Sequence, residues 1–226
     1  MARKNSTLTK LAMGVVAAAT LAAATIAAGP KDGKDGYKAM DSHAVAKVGE
    51  KAPDFTLTDT DGNTHTLSEV LAKEGVNAVV LEWYNPQCPF VVKHHKHNTT
   101  MADTYAAFQA KGVKWAAINS GAEGKQGAGL ELNKEMKTEY KIAYPVLLDT
   151  DGKVGKMYSA KTTPHMFVIN ADGILVYAGA IDNNRSPRNA GDVNYVEAAL
   201  NSVLAGETVE QAQTRPYGCS VKYAAR

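Results

Sequence analysis

The chain carries two cysteines, Cys88 in "EWYNPQCPFVVKHH" and Cys219 in "PYGCSVKY". A thiolate attacks disulfides and peroxides and also binds metals. Cys88 follows an apolar run and a proline-containing turn, Asn85-Pro86-Gln87, and precedes Pro89 and a helical pattern. Pro89 fits a first helical turn, where its missing N–H costs nothing. The free N–H groups of such a turn favour negative charge, and so the thiolate of Cys88. Lys93 adds a positive field. The competing reading is a buried, inert cysteine, although such a residue more often sits inside an element than at its edge.

Cys219 follows Gly218 in a tail without regular pattern, a flexible and accessible setting. A bridge to Cys88 would close a loop of about 130 residues. It is either a structural staple or a redox pair. In the second case Cys219 resolves the sulfenic acid or mixed disulfide that forms on Cys88. The two readings share one geometry and differ in reversibility.

The run "HHKH" holds His94, His95 and His97. His94 and His97 stand three residues apart on one helix face, close to Cys88, which invites a metal reading. A solvated helix face is the plainer reading, and no metal or cofactor is expected. Asn98-Thr99-Thr100 matches a glycosylation sequon, but its helical context argues against use.

These groups must be positioned by a folded part that begins near Gly49. "APDFTLTDTDGNTHTL" alternates apolar and polar residues around an Asp61-Gly62 turn, the pattern of a hairpin. "SEVLAKEG" predicts a short helix capped by Ser68 and stopped by Gly75. Residues 77–84 form a nearly continuous apolar run, a central strand. A long helix is expected from Pro89 to about Ala110, then a strand over 113–120, a glycine-rich loop, and a helix in "LELNKEMKTEYK". "YPVLLDTDG" predicts a strand and turn, and "KVGKMYS" a short helix. "HMFVINADGILVYAGAI" is a hairpin about Asp172-Gly173. Residues 193–206 form an amphipathic helix ending at Gly206. The order is that of a mixed α/β domain, with Cys88 where a central strand passes into its helix. Sites in open α/β sheets lie at the carboxyl ends of strands.

The chain has 226 residues, 45% of them hydrophobic, which suits one domain. Its first residues carry Arg3, Lys4 and Lys10 and no acid, and Leu11 to Ala28 is uncharged and alanine-rich. That is the pattern of a signal peptide cleaved between Ala24 and Ala28, which implies export to the periplasm or extracellular space. A retained membrane anchor is the alternative. The expected organisation is a signal peptide over 1–28, a polar linker over 29–48 and one domain over 49–226. The formal charge of +2 includes the three leader cations, so the remainder lies near −1. That balance points away from nucleic acid.

"WYNPQCPF" after an apolar strand resembles the active-site segment of the thioredoxin superfamily. "APDFTLTDTDG", "TTPHMFVINADGILVYAG" and "YGCSVKY" resemble the opening strand, proline loop and tail of its peroxiredoxin-like (redoxin) branch. The resemblance implies a thioredoxin-like fold, a central mixed sheet flanked by helices. It implies an antioxidant or thiol–disulfide oxidoreductase in which Cys88 attacks. Pro164 would be a cis proline, presenting the Thr163 backbone to an incoming chain. Glu82 would be a buried acid relaying a proton for the resolving thiol, unless it is a strand-end acid in solvent. The implied partners are a thioredoxin-type or other thiol reductant and a peroxide or protein disulfide substrate.

The departures are specific. Val91 stands where thioredoxins have their second cysteine, so no local dithiol exists. Peroxiredoxins carry Thr or Ser three residues before the cysteine and Pro seven before. Here those positions are Asn85 and Leu81, which leaves the Asn85 amide as the group to position a peroxide. Arg185 is the candidate for the arginine that polarises it. Copper-carrying relatives use Cys-x-x-x-Cys, and Val92 leaves that set incomplete. The alternative to an enzyme is a non-catalytic binding or metallochaperone module on the same fold.

Overall fold

The computed structural model describes residues 45–225. The expected signal peptide and most of the expected linker lie outside these residues. The last residues assigned to the linker are already part of the fold. The Ala46 N–H donates to the Met157 carbonyl at 2.9 Å, and Ala46 and Val48 pack on the core.

The apolar run at 77–84 becomes β3 (Ala78–Trp83), buried at every position. A strand buried on both faces needs a neighbour on each side and a layer above and below. β3 pairs in parallel with β4 (Val113–Asn119) and antiparallel with β7 (His165–Asn170). β4 pairs in parallel with β5 (Val146–Leu148). The hairpin β1 (Thr56–Asp59) and β2 (Thr64–Thr66) adds to β5, and β8 (Leu175–Gly179) adds to β7. The sheet therefore runs β2-β1-β5-β4-β3-β7-β8. It is a mixed sheet flanked by helices, the α/β arrangement expected from the sequence.

The period-two alternation of β3 divides the core. Ala78 and Val80 face one cluster, with Val91, Phe108, Val196 and Leu200 from the helices. Val79, Leu81 and Trp83 face the other, with Leu67, Val154 and Tyr158. The helices that carry or adjoin these residues are α1 (Leu67–Leu71), α2 (Pro89–Val92), α3 (Thr100–Gln109), α5 (Lys153–Met157) and α6 (Tyr195–Ala205); α4 (Leu130–Glu139) lies between β4 and β5. α6 is capped by Asn194, which accepts from the Val196 and Glu197 N–H groups, and ends at Gly206 with φ 71°. No helix among the described residues is long and apolar enough to cross a membrane.

Two helix expectations need correction. Ser68 does not cap α1. It lies inside the first turn, and Asp54 accepts both its N–H (2.9 Å) and its hydroxyl (2.6 Å). The long helix after Cys88 is also broken. α2 (Pro89–Val92) runs into a π-helical turn, Lys93–His97, and the chain extends at Asn98 before α3. The Asn98 N–H and side-chain amide both donate to the Lys93 carbonyl (2.8 and 3.0 Å), closing the wide turn. Such turns are rare and often lie at functional sites.

The tail departs most from expectation. β9 (Cys219–Ser220) pairs antiparallel with β6 (Thr162–Thr163), in the register Thr162↔Ser220 and Thr163↔Cys219.

Candidate active site

The turn before α2 is held by Asn85. Its carboxamide oxygen accepts the Gln87 N–H at 2.9 Å, and its amide donates to the Gln126 carbonyl at 3.0 Å. The Gly127 backbone approaches so closely that a Cβ there would lie 2.0 Å from the Asn85 oxygen. Asn85 is therefore a buried brace between two loops, with its oxygen and one amide N–H used to hold them. The turn it braces ends at Cys88, which is the N-cap residue of α2.

Cys88 is completely buried. Its sulfur lies 2.9 Å from the Thr163 carbonyl oxygen and 2.8 Å from the Cys219 sulfur. One S–H proton serves only one of these acceptors at a time. The Thr163-Pro164 bond is cis, and both residues are buried. Residues far apart in sequence thus meet at one point: Cys88 from the β3–α2 turn, Thr163 from β6 and Cys219 from β9. Cys219 is half-buried rather than freely accessible. Burial pushes its thiol up to about 12, helped by the hydrogen bond and charge of Cys88.

Glu82 is buried, on the face of β3 that carries Cys88's cluster. Its two oxygens are engaged by His95 Nε2 at 2.8 Å and by the Tyr144 hydroxyl, which donates at 3.1 Å. Neither partner is a thiol. Arg185 is exposed on the loop after β8. Among the described residues no hydrogen bond or ion pair ties its side chain to the cysteines. Its neighbour Asn184 is the residue that reaches the helix, through a carbonyl accepting from Lys93 at 2.6 Å.

The π-helical turn overturns the expectation of a solvated histidine face. Lys93 and His94 are fully buried, His95 points to Glu82, and only His97 of the three histidines is exposed. Lys93 and His94 meet Tyr217, two residues before Cys219. The Tyr217 hydroxyl donates to Asp182, accepts from Lys93 at 3.1 Å and lies 3.0 Å from His94 Nε2. Lys93 also stands 3.5 Å from Asp182. The phenolic proton goes to the carboxylate, so His94 must donate through Nε2, and its Nδ1 is buried without a partner. Burial holds His94 neutral, pushed down to about 3, against the pull of Asp182. Burial also lowers Lys93, opposed by Asp182, and raises Tyr217. No group of three or more His, Cys, Asp or Glu side chains among the described residues is arranged to hold a metal. Sequence reasoning missed Tyr217 and Asp182. The "YGCSVKY" resemblance touched Tyr217, but no local pattern marks either as a partner of Lys93.

The AhpC/TSA family model matches residues 48–178, more than half of the chain. The chain belongs to the AhpC/TSA family. Cys88, Thr163 and Pro164 lie inside the match; Asp182, Tyr217 and Cys219 lie beyond it. A hypothetical protein of Sinorhizobium meliloti 1021 superposes with a TM-score of 0.71 at 31% identity, covering 80% of this chain and 96% of that one. An uncharacterized conserved protein of Geobacillus kaustophilus gives 0.71 at 30%, covering 80% and 94%. Thiol-disulfide oxidoreductase ResA of Bacillus subtilis is 34% identical over 128 residues, 57% of this chain and 64% of that protein. The chain therefore spans less than two thirds of that relative's length. The AhpC/TSA fold here is thioredoxin-like, a central mixed sheet between helices.

Proposed function

We propose that this chain is a thiol–disulfide oxidoreductase in which Cys88 is the nucleophile and Cys219 the resolving thiol. The observation that carries the reading is the 2.8 Å approach of the two sulfurs beside the cis Thr163-Pro164 bond. The similarity to an oxidoreductase named for thiol–disulfide chemistry supports it. The Cys88 thiolate attacks one sulfur of a disulfide, and the other sulfur leaves as a thiol. Cys219 then attacks the Cys88 sulfur and releases the second thiol, leaving a Cys88–Cys219 disulfide. A thioredoxin-type dithiol returns the pair to the reduced state. Peroxide is the less favoured oxidant, because the Asn85 amide already donates to Gln126, no Thr or Ser hydroxyl stands in its place, and Arg185 is exposed. The basic, acid-free start of the chain supports action outside the cytoplasm, and N-terminal sequencing of natively produced protein tests this.

The experiment treats reduced protein with oxidised glutathione and, separately, with hydrogen peroxide, and maps Cys88 by mass spectrometry. The expected product is a Cys88–Cys219 disulfide formed faster from the disulfide. In the Cys219→Ser variant, glutathione should stay on Cys88. A pair that forms but resists a dithiol reductant would mean a structural staple, and an inert Cys88 would end the proposal.

A further inference from the structure

The sheet is incomplete beside β4. β5 pairs only with Ala117–Asn119, and no strand among the described residues pairs with Val113–Ala116 on that side. Along a parallel strand, alternate residues bond to opposite neighbours. The Ala117 N–H donates to the Pro145 carbonyl (2.9 Å), and the Asn119 carbonyl accepts from the Asp149 N–H (2.9 Å). Trp115 is in phase with both, so its backbone N–H and carbonyl face the same side. The residue in register to donate to the Trp115 carbonyl is Pro145, which has no N–H. Trp115 is only 4% exposed, and its indole N–H is also buried without a partner. Buried backbone groups are nearly always paired, so this short edge is a vacancy in the hydrogen bonding of the sheet.

The edge opens on a cavity of about 390 Å³, a size that suits a small ligand. Phe55, Leu67, Val79, Leu81 and Leu147 give it apolar walls. Lys73 and Lys114 also line it and are exposed, which places them at its mouth. Neither has an ion-pair partner among the described residues. No Asp or Glu lines the cavity, and its other basic residue, His65, is held by Asp59 at 2.7 Å. Val79 and Val113 stand near the first residues of β3 and β4, whereas Cys88 follows the last residue of β3. The cavity and the thiol are thus at opposite ends of the central strand.

We propose that this cavity binds a small N-acylated apolar amino acid. The apolar side chain fills the body of the cavity, the amide pairs with the Trp115 edge, and the carboxylate meets Lys73 and Lys114. Each part answers one feature of the site. An amide carries one donor and one acceptor, so it satisfies both backbone groups of Trp115 as a further strand would. The apolar group removes the walls from water. The carboxylate finds two cations and no competing acid, whereas a cationic ligand would meet like charge. The volume accommodates one acylated residue rather than a folded partner. The proposal stands apart from the reading of Cys88 as a nucleophile.

The test is calorimetric titration of the full chain with three probes: N-acetylphenylalanine, its uncharged amide N-acetylphenylalaninamide, and 3-phenylpropionate, which keeps the ring and carboxylate but has no amide group. The first should bind saturably at about 1 mM or tighter. The other two should each bind about fivefold more weakly. Lys73→Gln combined with Lys114→Gln changes only exposed side chains, so the fold is kept. It should weaken N-acetylphenylalanine about fivefold and leave the uncharged amide unchanged. Hydrogen exchange of the Trp115 backbone amide should slow with N-acetylphenylalanine, and that of Thr163 beside Cys88 should not change. Absence of saturable binding by N-acetylphenylalanine in the millimolar range overturns the proposal. So does equal binding of the acid and its amide, equal binding of 3-phenylpropionate, or protection that leaves Trp115 untouched.

Discussion

His94 and His95 are neighbours in one π-helical turn, yet they enter different polar clusters. His95 joins Glu82 and Tyr144, and its ring lies between those of Tyr84 (5.6 Å, edge-on) and Tyr140 (6.0 Å, stacked). Glu82 belongs to the central strand, so this cluster fastens the turn to the sheet. His94 joins Lys93, Asp182 and Tyr217, which fastens the same turn to a loop and to the C-terminal tail. The first cluster keeps its partners whatever the tail does. The second depends on Tyr217 from the tail, and it contains a buried charge pair, which is costly when one partner is lost. Similar residues, one position apart, thus tie one turn to the sheet and to the tail.

The largest effect should come from Asp182→Ala. It leaves the buried Lys93 ammonium without its carboxylate, at a cost of about 3–5 kcal/mol. The denaturant midpoint should fall accordingly, and Lys93→Met added to Asp182→Leu should recover much of the loss. A cost near that of a surface substitution would break the comparison at its tail side.

Acid should come next. His94 and His165 are both held neutral by burial, each pushed down to about 3. Their unfolded forms bind a proton near pH 6.5. Between about pH 6.5 and 3 the unfolded state therefore holds more protons, and stability falls as pH falls. Each histidine should remove about 2 kcal/mol between pH 7 and 5. The groups facing His94 are Lys93, Asp182, His95 and Tyr217; Asp182 opposes the shift, and Lys93 and His95 reinforce it. Urea unfolding across that range measures the slope, and His94→Gln should reduce it by about one proton.

Glu82→Leu probes the fixed side. It orphans the donors of His95 and Tyr144, for about 2 kcal/mol. Hydrogen exchange in residues 217–223 should stay at the parent level. Faster exchange there would show that the two clusters are not separate. Tyr217→Phe is the converse and should cost about 1 kcal/mol overall. Exchange in residues 217–223 should rise while β3 and β4 remain protected. His97→Ala should sit within about 0.5 kcal/mol of the parent, since His97 alone of the three histidines faces solvent.

Much of this frame was legible in the residues themselves. The apolar run of β3, the Asp61-Gly62 and Asp172-Gly173 hairpins, the β4 strand and the Gly206 helix stop are written in adjacent residues. So is the place of Cys88 between a strand and a helix. The break at Asn98 was not, because a π-helical turn satisfies the same apolar spacing as an α-helix over a few residues. The inward turn of Lys93 and His94 was hidden for a related reason. Charged neighbours read as solvent-facing until a buried carboxylate and phenol are known to wait for them.

The sequence by itself determined most of the elements and the strand-to-helix setting of one thiol, since each depends on local backbone preferences; the Thr163-Pro164 pair was implied by the family resemblance. The tertiary structure alone decided that Cys219 stands opposite Thr163, that Asn85 is consumed as a brace, and that Tyr217 ties the tail to Lys93. These contacts join residues 41 to 131 positions apart. Their existence depends on which surfaces pack together, and nothing in the neighbouring residues of either partner encodes that choice.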